Sequence, residues 1–333
     1  MGKLGRAMFL ALVVALTAPL CAQLNGLYTC ANGNPGNAFD YGDIGDFFND
    51  LEAQGVNGPV TLDVFDDGGP FTSTASYALG AGDAGGPFFG VAGLGGANPL
   101  ITRAAAGEKP EVVGGGARLG ALGYNASQPY FGAMAFANVG GVTIEGFELR
   151  NAPNWGICFS QTGSGTYNGV RISRCRIHDV ADGWAITFLS GGFDGVIIEN
   201  NMIWACGAVT PSITAPRGVV RATVGLEWIV RHNTILHVDA IHADDAIWLS
   251  GSSVEQFHSN VVYITSTIQP PAESVFAVIG RTHLRRLQRL PTGWNRAIWG
   301  RHYRNNIPRM ASGGQRSQWP ACRSHVREYG AGA

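Results

Sequence analysis

The sequence predicts an all-β solenoid, and three observations carry the prediction. From residue 141 a nine-residue pattern recurs: Gly141-Val-Thr-Ile-Glu-Gly-Phe-Glu-Leu149, Gly169-Val-Arg-Ile-Ser-Arg-Cys-Arg-Ile177 and Gly195-Val-Ile-Ile-Glu-Asn-Asn-Met-Ile203 align without gaps. Glu227-Trp-Ile-Val-Arg-His-Asn-Thr-Ile235 and Val254-Glu-Gln-Phe-His-Ser-Asn-Val-Val262 continue the series. Apolar residues occupy offsets 1, 3 and 8, with Glu255 the one exception, which is strand periodicity without a helix pattern. The sixth offset holds Phe147, Cys175, Asn201, Asn233 and Asn260, which stand 28, 26, 32 and 27 residues apart. A supersecondary unit of that length buries its inward side chains only by stacking on the next, so the chain winds as a solenoid.

The elements follow in order. Residues 1–22 have a basic start (Lys3, Arg6), an apolar run from Met8 to Leu16 and a small-residue exit at Ala22, the form of a secretory signal peptide. The run is too short for a membrane span, and no span is expected in the mature protein. Cys21 follows Leu20 rather than a small residue, so cleavage near Ala22 is favoured over lipidation. Export permits disulfides, but the five remaining cysteines, Cys30, Cys158, Cys175, Cys206 and Cys322, are odd in number and match no metal spacing. Residues 23–140 are expected to hold an N-terminal cap and the first irregular coils. Within them residues 42–55 read as a helix, N-capped by Asp43, with Ile44, Phe47, Phe48 and Leu51 on one face and Gly55 as the stop. A strand follows at residues 60–64, and the Gly-rich stretch 67–98 reads as loop. Asn125-Ala-Ser127 fits an N-glycosylation sequon.

Residues 141–280 carry the repeats. Where two residues separate the apolar pairs the chain turns a corner, and an Asn there can hydrogen-bond the Asn one rung away, about 4.8 Å off. Cys175, Asn201, Asn233 and Asn260 are therefore assigned to a structural ladder rather than a binding site. A second strand recurs at Ile157-Cys-Phe159, Ile186-Thr-Phe188, Val220-Arg-Ala-Thr-Val224, Ile247-Trp-Leu249 and Phe276-Ala-Val278. Between the corner and this strand the connection varies, being longest at residues 205–218, and variable insertions on one side mark a binding face.

Composition excludes a disordered, collagen-like or multi-span membrane chain: of 333 residues 45% are hydrophobic and 14% charged. The formal charge of −1 conceals net −11 over residues 1–280 and +10 over residues 281–333. That Arg-rich, low-order tail lacks Lys, shows no periodicity and belongs to an exported chain, so no nucleic-acid partner is expected. The fifth repeat has begun its new strand at residues 276–278 when the pattern stops, and residues 281–333 are read as a frameshifted or mis-assigned end. Repeats in another reading frame are the expected sign.

The repeat Gly-Val-x-Ile-x-x-Asn-x-Ile resembles the second and third strands, with the Asn ladder between them, of the right-handed parallel β-helix superfamily that includes pectate lyases and polygalacturonases. The opening, with a capping helix, Gly58-Pro-Val60 and Ile101-Thr-Arg-Ala-Ala-Ala-Gly-Glu-Lys-Pro110, is similar to that of many exported members. The likeness covers roughly residues 40–280. It implies a right-handed parallel β-helix with an N-terminal capping helix and an irregular C-terminal tail, but it specifies fold more than activity.

In the family's enzymes the strand beginning each coil lines the cleft, and its outward positions here are Cys158, Thr187, Arg221 and Trp248. Arg221 can fork onto a sugar carboxylate, and Trp248 offers an apolar face to a pyranose. Acids cluster in the adjoining turns, at His178-Asp179-Val-Ala-Asp182 and His237-Val-Asp239-Ala-Ile-His242-Ala-Asp244-Asp245. These turns lie two coils apart, about 9.6 Å, near the roughly 6.5–9.5 Å an inverting glycosidase needs between its carboxylates. Asp182, Asp244 and Asp245, with Arg221, are thus the catalytic candidates. Trp248, Arg221 and His242 are the substrate-binding candidates, and Asp239 with Asp244 form a candidate calcium site. A lyase would need a base, for which Arg221 or His242 can be nominated. The segment from Asp244 resembles the Asp-Asp-Cys-Ile segment of polygalacturonases. It lacks that family's Asn-Thr-Asp, Gly-His-Gly and Arg-Ile-Lys partners, and Asp182-Gly-Trp-Ala-Ile is a sister segment that serves equally as a turn.

Two functions are expected to compete: an exported protein that binds or cleaves a polysaccharide or cell-surface glycan, and a non-catalytic structural or adhesive solenoid.

Overall fold

A computed structural model describes residues 23–73, 76–80, 90–115, 132–161, 166–181, 184–189, 192–206, 218–222, 225–237, 247–250, 252–264 and 276–279. β1 (Leu24–Ala31) precedes a short 3-10 turn and helix α1 (Ile44–Gln54). From there strands come in threes. The first unit is β2 (Val56–Phe65), β3 (Phe71–Thr72) and β4 (Tyr77–Leu79); the second is β5 (Leu100–Ala104), β6 (Glu111–Val113) and β7 (Gly132–Ala137). The third is β8 (Val142–Glu145), β9 (Glu148–Arg150) and β10 (Trp155–Ser160). After the short β11 (Thr166–Asn168) comes the fourth: β12 (Arg171–Ser173), β13 (Arg176–Val180) and β14 (Trp184–Leu189). After β15 (Gly192–Asp194) comes the fifth: β16 (Ile197–Glu199), β17 (Met202–Cys206) and β18 (Gly218–Ala222). The sixth is β19 (Gly225–Arg231), β20 (Thr234–His237) and β21 (Ile247–Ser250), and the seventh β22 (Ser252–His258), β23 (Val261–Ile264) and β24 (Phe276–Ile279).

Like strands pair with like. Sheet A runs β1-β2-β5-β8-β12-β16-β19-β22, sheet B runs from β3 to β23 through the middle strand of each unit, and sheet C from β4 to β24 through the third. Every pairing within them is parallel. The protein is all-β with long parallel sheets, consistent with a solenoid. The apolar offsets point inward as expected: Val142, Ile144, Leu149, Val170, Ile172, Ile177, Val196, Ile198, Ile203, Trp228, Val230 and Ile235 are all buried in one core.

The expected helix is present. Asp43 accepts the Gly45 N–H at 2.6 Å, and Gly55, at φ 71°, donates back to the Leu51 carbonyl at 2.8 Å. Ile44, Phe47, Phe48 and Leu51 are buried, so α1 closes the apolar interior at its N-terminal end. Two differences precede the repeats. The stretch read as loop, 67–98, holds the short strands β3 and β4, and β1 adds a strand the pattern did not indicate. Among the described residues no helix is long and apolar enough to cross a membrane. Residues 1–22, expected to be a leader, and residues 281–333 lie outside the described residues.

The corner between sheets A and B explains the repeat. The residue before each ladder position is left-handed: φ is 82° at Gly146, 56° at Arg174, Asn200 and His232, and 55° at Ser259. One such residue turns the chain and leaves the next backbone N–H without a strand partner. The side chain one unit later supplies it. Asn201 Oδ1 accepts from Cys175 N at 2.9 Å, Asn233 Oδ1 from Asn201 N at 3.0 Å, and Asn260 Oδ1 from Asn233 N at 2.9 Å. Each amide nitrogen then donates to the unit before it: Asn201 to Ile172 O at 3.0 Å, Asn233 to Ile198 O and Asn260 to Val230 O, both at 2.9 Å. Asn201 and Asn233 also donate to the Oδ1 of the next Asn, at 3.0 and 2.9 Å. Cys175 takes the same slot with its thiol toward Ile144 O, at 3.8 Å. Burial pushes that thiol up to about 12.

Candidate functional site

Two outward faces carry chemistry. The first is that of sheet C. Its register, Ala135↔Cys158↔Thr187↔Arg221↔Trp248↔Ala277, puts the four positions expected from alternation in one row. Behind them Phe136, Phe159 and Phe188 stack at 4.8 and 5.0 Å with interplanar angles of 15° and 7°. This one-ring-per-unit column points the intervening residues the other way.

The row is not an open wall along its length. Cys158 and Thr187, expected to face outward on a cleft, are 0% exposed, and every residue of β7, β10 and β14 is buried. Cys158 and Leu189, opposite the Phe column, join Trp155 and Trp184 in a second apolar cluster. Alternation assigns a side chain to a face but says nothing of what covers that face. Thr187 Oγ1 and Ser160 Oγ are buried there without a hydrogen-bond partner. A buried hydroxyl without a partner costs about 1–3 kcal/mol, so each of the two needs a reason to be kept. Arg221 and Trp248 continue the row on β18 and β21, where only the backbone is described. Asp182, Asp239, His242, Asp244 and Asp245 lie outside the described residues, and with them the candidate calcium site. Among the described residues no group of three or more His, Cys, Asp or Glu is placed to hold a metal ion.

The second face, the outer side of sheet B, was not singled out from the sequence. Register gives two outward rows, Glu111↔Glu148↔Arg176↔Met202↔Thr234↔Val261 and Val113↔Arg150↔His178↔Trp204↔Leu236↔Tyr263. His178, read as part of a turn, is on strand β13, where the left-handed Asp179 (φ 55°) interrupts the pairing that Val180 resumes with Cys206. The imidazole stacks on Trp204 at 4.2 Å and 7°. Its Nδ1 faces Asp179 Oδ2 at 2.8 Å and its Nε2 faces Glu148 Oε1 at 3.2 Å. Arg176 also reaches Glu148, at 3.6 Å, and Arg150 pairs with Glu111. Glu148 and His178 fall one and three places after the ladder residue in successive repeats, so the ladder alignment held the signal for their meeting.

Sheet A outside is a third, self-contained set of charges. Asp63 pairs with Arg103 at 2.6 Å and Glu145 with Arg174 at 2.7 Å, while Glu199, 3% exposed, is held by Arg231 at 2.6 Å and by Arg171. Each pair bridges neighbouring units, so these charges bind rung to rung. Removing one partner of the buried Glu199 would leave a buried polar group short of partners, which is costly.

The chain matches no family model, no curated protein and no solved structure. What it does has to follow from the faces just described.

Proposed function

We propose that this is an exported right-handed parallel β-helix, a member of the superfamily its repeats resemble, that binds a polysaccharide along the outer row of sheet C. Its leader is removed near Ala22, and its place of work is secreted or at the cell surface. One observation carries the reading: Arg221 and Trp248 occupy successive positions of a single row, one rung of about 4.8 Å apart. Arg and Trp at adjacent register positions are residue types that suit a uronate, whose carboxylate can take an Arg fork and whose C–H face can lie on an aromatic ring. Cleavage would fall to Asp182, Asp244 and Asp245.

The test is a screen of the purified mature protein against polygalacturonate and neutral glycans, reading both binding and released ends. Polygalacturonate binding that falls in Arg221→Ala supports the proposal, and a protein that shows neither polygalacturonate binding nor product rejects it. A product lost in the Asp182→Ala, Asp244→Ala, Asp245→Ala variant, with folding intact, adds catalysis.

A second reading, a non-catalytic structural or adhesive solenoid, is favoured by the ladder and by ion pairs such as Asp63–Arg103 and Glu199–Arg231, which spend polar side chains on stacking units. On that reading the triple Asp variant has no phenotype.

A further inference from the structure

Three large apolar side chains are exposed among the described residues, and two of them, Met202 (43%) and Val261 (59%), share one row of sheet B. Thr234 lies between them in register, and the half-buried Trp204 and Leu236 form the next outward row. Together they make a continuous apolar strip across β17, β20 and β23. Beside it stand Glu148, Arg150, Arg176, His178 and Asp179.

The shape and size of the strip select its occupant. Three strands at about 4.8 Å and two outward rows of about 6.6 Å each give an area on the order of 200 Å², against the roughly 800 Å² per partner of a stable protein interface. A second copy of this chain is therefore too large a partner for so little surface. An extended peptide that adds to a sheet needs an open edge, whereas β17 and β20 are paired on both sides. A linear polysaccharide needs neither. It is narrow, its repeat is close to one rung, and its sugar rings carry apolar C–H faces edged with hydroxyls. Charge then decides between acidic and neutral chains. Arg176 is paired with Glu148, Arg150 with Glu111, and His178 faces Glu148 and Asp179, so among the described side chains of this face no cation is left over to select an acidic polymer.

We infer that the outer face of sheet B is a second carbohydrate site, on which a neutral linear polysaccharide lies along the stacking direction over Met202, Thr234 and Val261. Carboxylates and guanidiniums at Glu148, Arg176 and Asp179 hydrogen-bond its hydroxyls at one end. The site stands apart from the sheet C row and does not depend on it. Trp204 contributes its edge rather than its face, because His178 already covers one side of the ring.

The test uses the full mature chain with cellohexaose, xylohexaose and mannohexaose as neutral probes and polygalacturonate as the acidic one, by calorimetry in 0.15 M and 0.5 M NaCl. At least one neutral hexasaccharide is expected to bind with little dependence on salt. Met202→Glu with Val261→Glu, both exposed and so compatible with folding, weakens that binding about tenfold or more and leaves polygalacturonate binding as it was. Arg221→Ala gives the reverse pattern. Neutral probes that do not bind, or that bind the double variant as tightly as the wild type, overturn the inference. Neutral binding that depends on Met202 and Val261 without any polygalacturonate binding sustains it and removes the sheet C reading.

Discussion

Replacing Asn233 by Ala tests the ladder where it is fully engaged. The amide of Asn233 makes four hydrogen bonds: Oδ1 accepts from the backbone and the side chain of Asn201, and Nδ2 donates to Ile198 O and to Asn260 Oδ1. All three Asn residues are buried. In Asn233→Ala the Asn201 backbone N–H loses its acceptor, which costs about 1–3 kcal/mol, and the amides of Asn201 and Asn260 each lose a partner at about 1 kcal/mol. The total is about 3–5 kcal/mol, or on the order of 10 °C in Tm for a domain of this size. The control is Asn168→Ala, an exposed Asn, expected within about 0.5 kcal/mol of wild type. Thermal and urea unfolding followed by circular dichroism measure both. A shift below about 2 °C for Asn233→Ala, indistinguishable from the control, would refute the claim that the side chain replaces a strand partner at the corner.

Other consequences follow from the same geometry. Thr187→Val removes a buried hydroxyl without a partner and should raise the unfolding free energy by about 1–3 kcal/mol; a fall shows that the hydroxyl is satisfied. Glu227 adopts φ 60° where Gly141, Gly169 and Gly195 stand in the aligned repeats, at 66°, 75° and 62°. Glu227→Gly should therefore stabilise by about 1 kcal/mol, and unchanged or lower stability in urea contradicts this. Burial pushes the thiols of Cys30, Cys175 and Cys206 up to about 12, with carboxylates near Cys30 adding to the effect. The folded chain thus holds these protons above the unfolded value of 9.0, so their contribution is complete below pH 9 and is lost as pH rises towards 12. Native protein at pH 8 should show these three thiols silent to a thiol reagent until denaturant is added; rapid reaction without denaturant counts against their burial.

The repeats could be read from residue 141 onward because their corner is one left-handed residue followed by a ladder residue, a length that keeps successive units aligned without gaps. Earlier units were hidden for a physical reason. In the second unit Pro110 takes the ladder place, its carbonyl accepting from Glu148 N at 3.0 Å as Phe147 O accepts from Arg176 N at 2.8 Å. The corner before it runs from Ala105 to Pro110, too long to align. β3 and β4 have two and three residues, below what alternation can register. β1 was missed because Gly26 interrupts its pattern and Leu27 faces out. The row Cys158, Thr187, Arg221, Trp248 was legible because strand alternation fixes it, whereas burial of its first two members depends on contacts made across the fold. The meeting of His178 with Glu148 needed both the register and the ion-pair chemistry of two different repeats.

The most direct test of the function assigned to the fold is a titration of polygalacturonate into the mature protein and into its Arg221→Ala, Trp248→Ala variant, at matched stability. The account predicts saturable binding by the wild type that weakens as salt rises and falls at least tenfold in the variant. Equal binding by both proteins, or none by either, would contradict it.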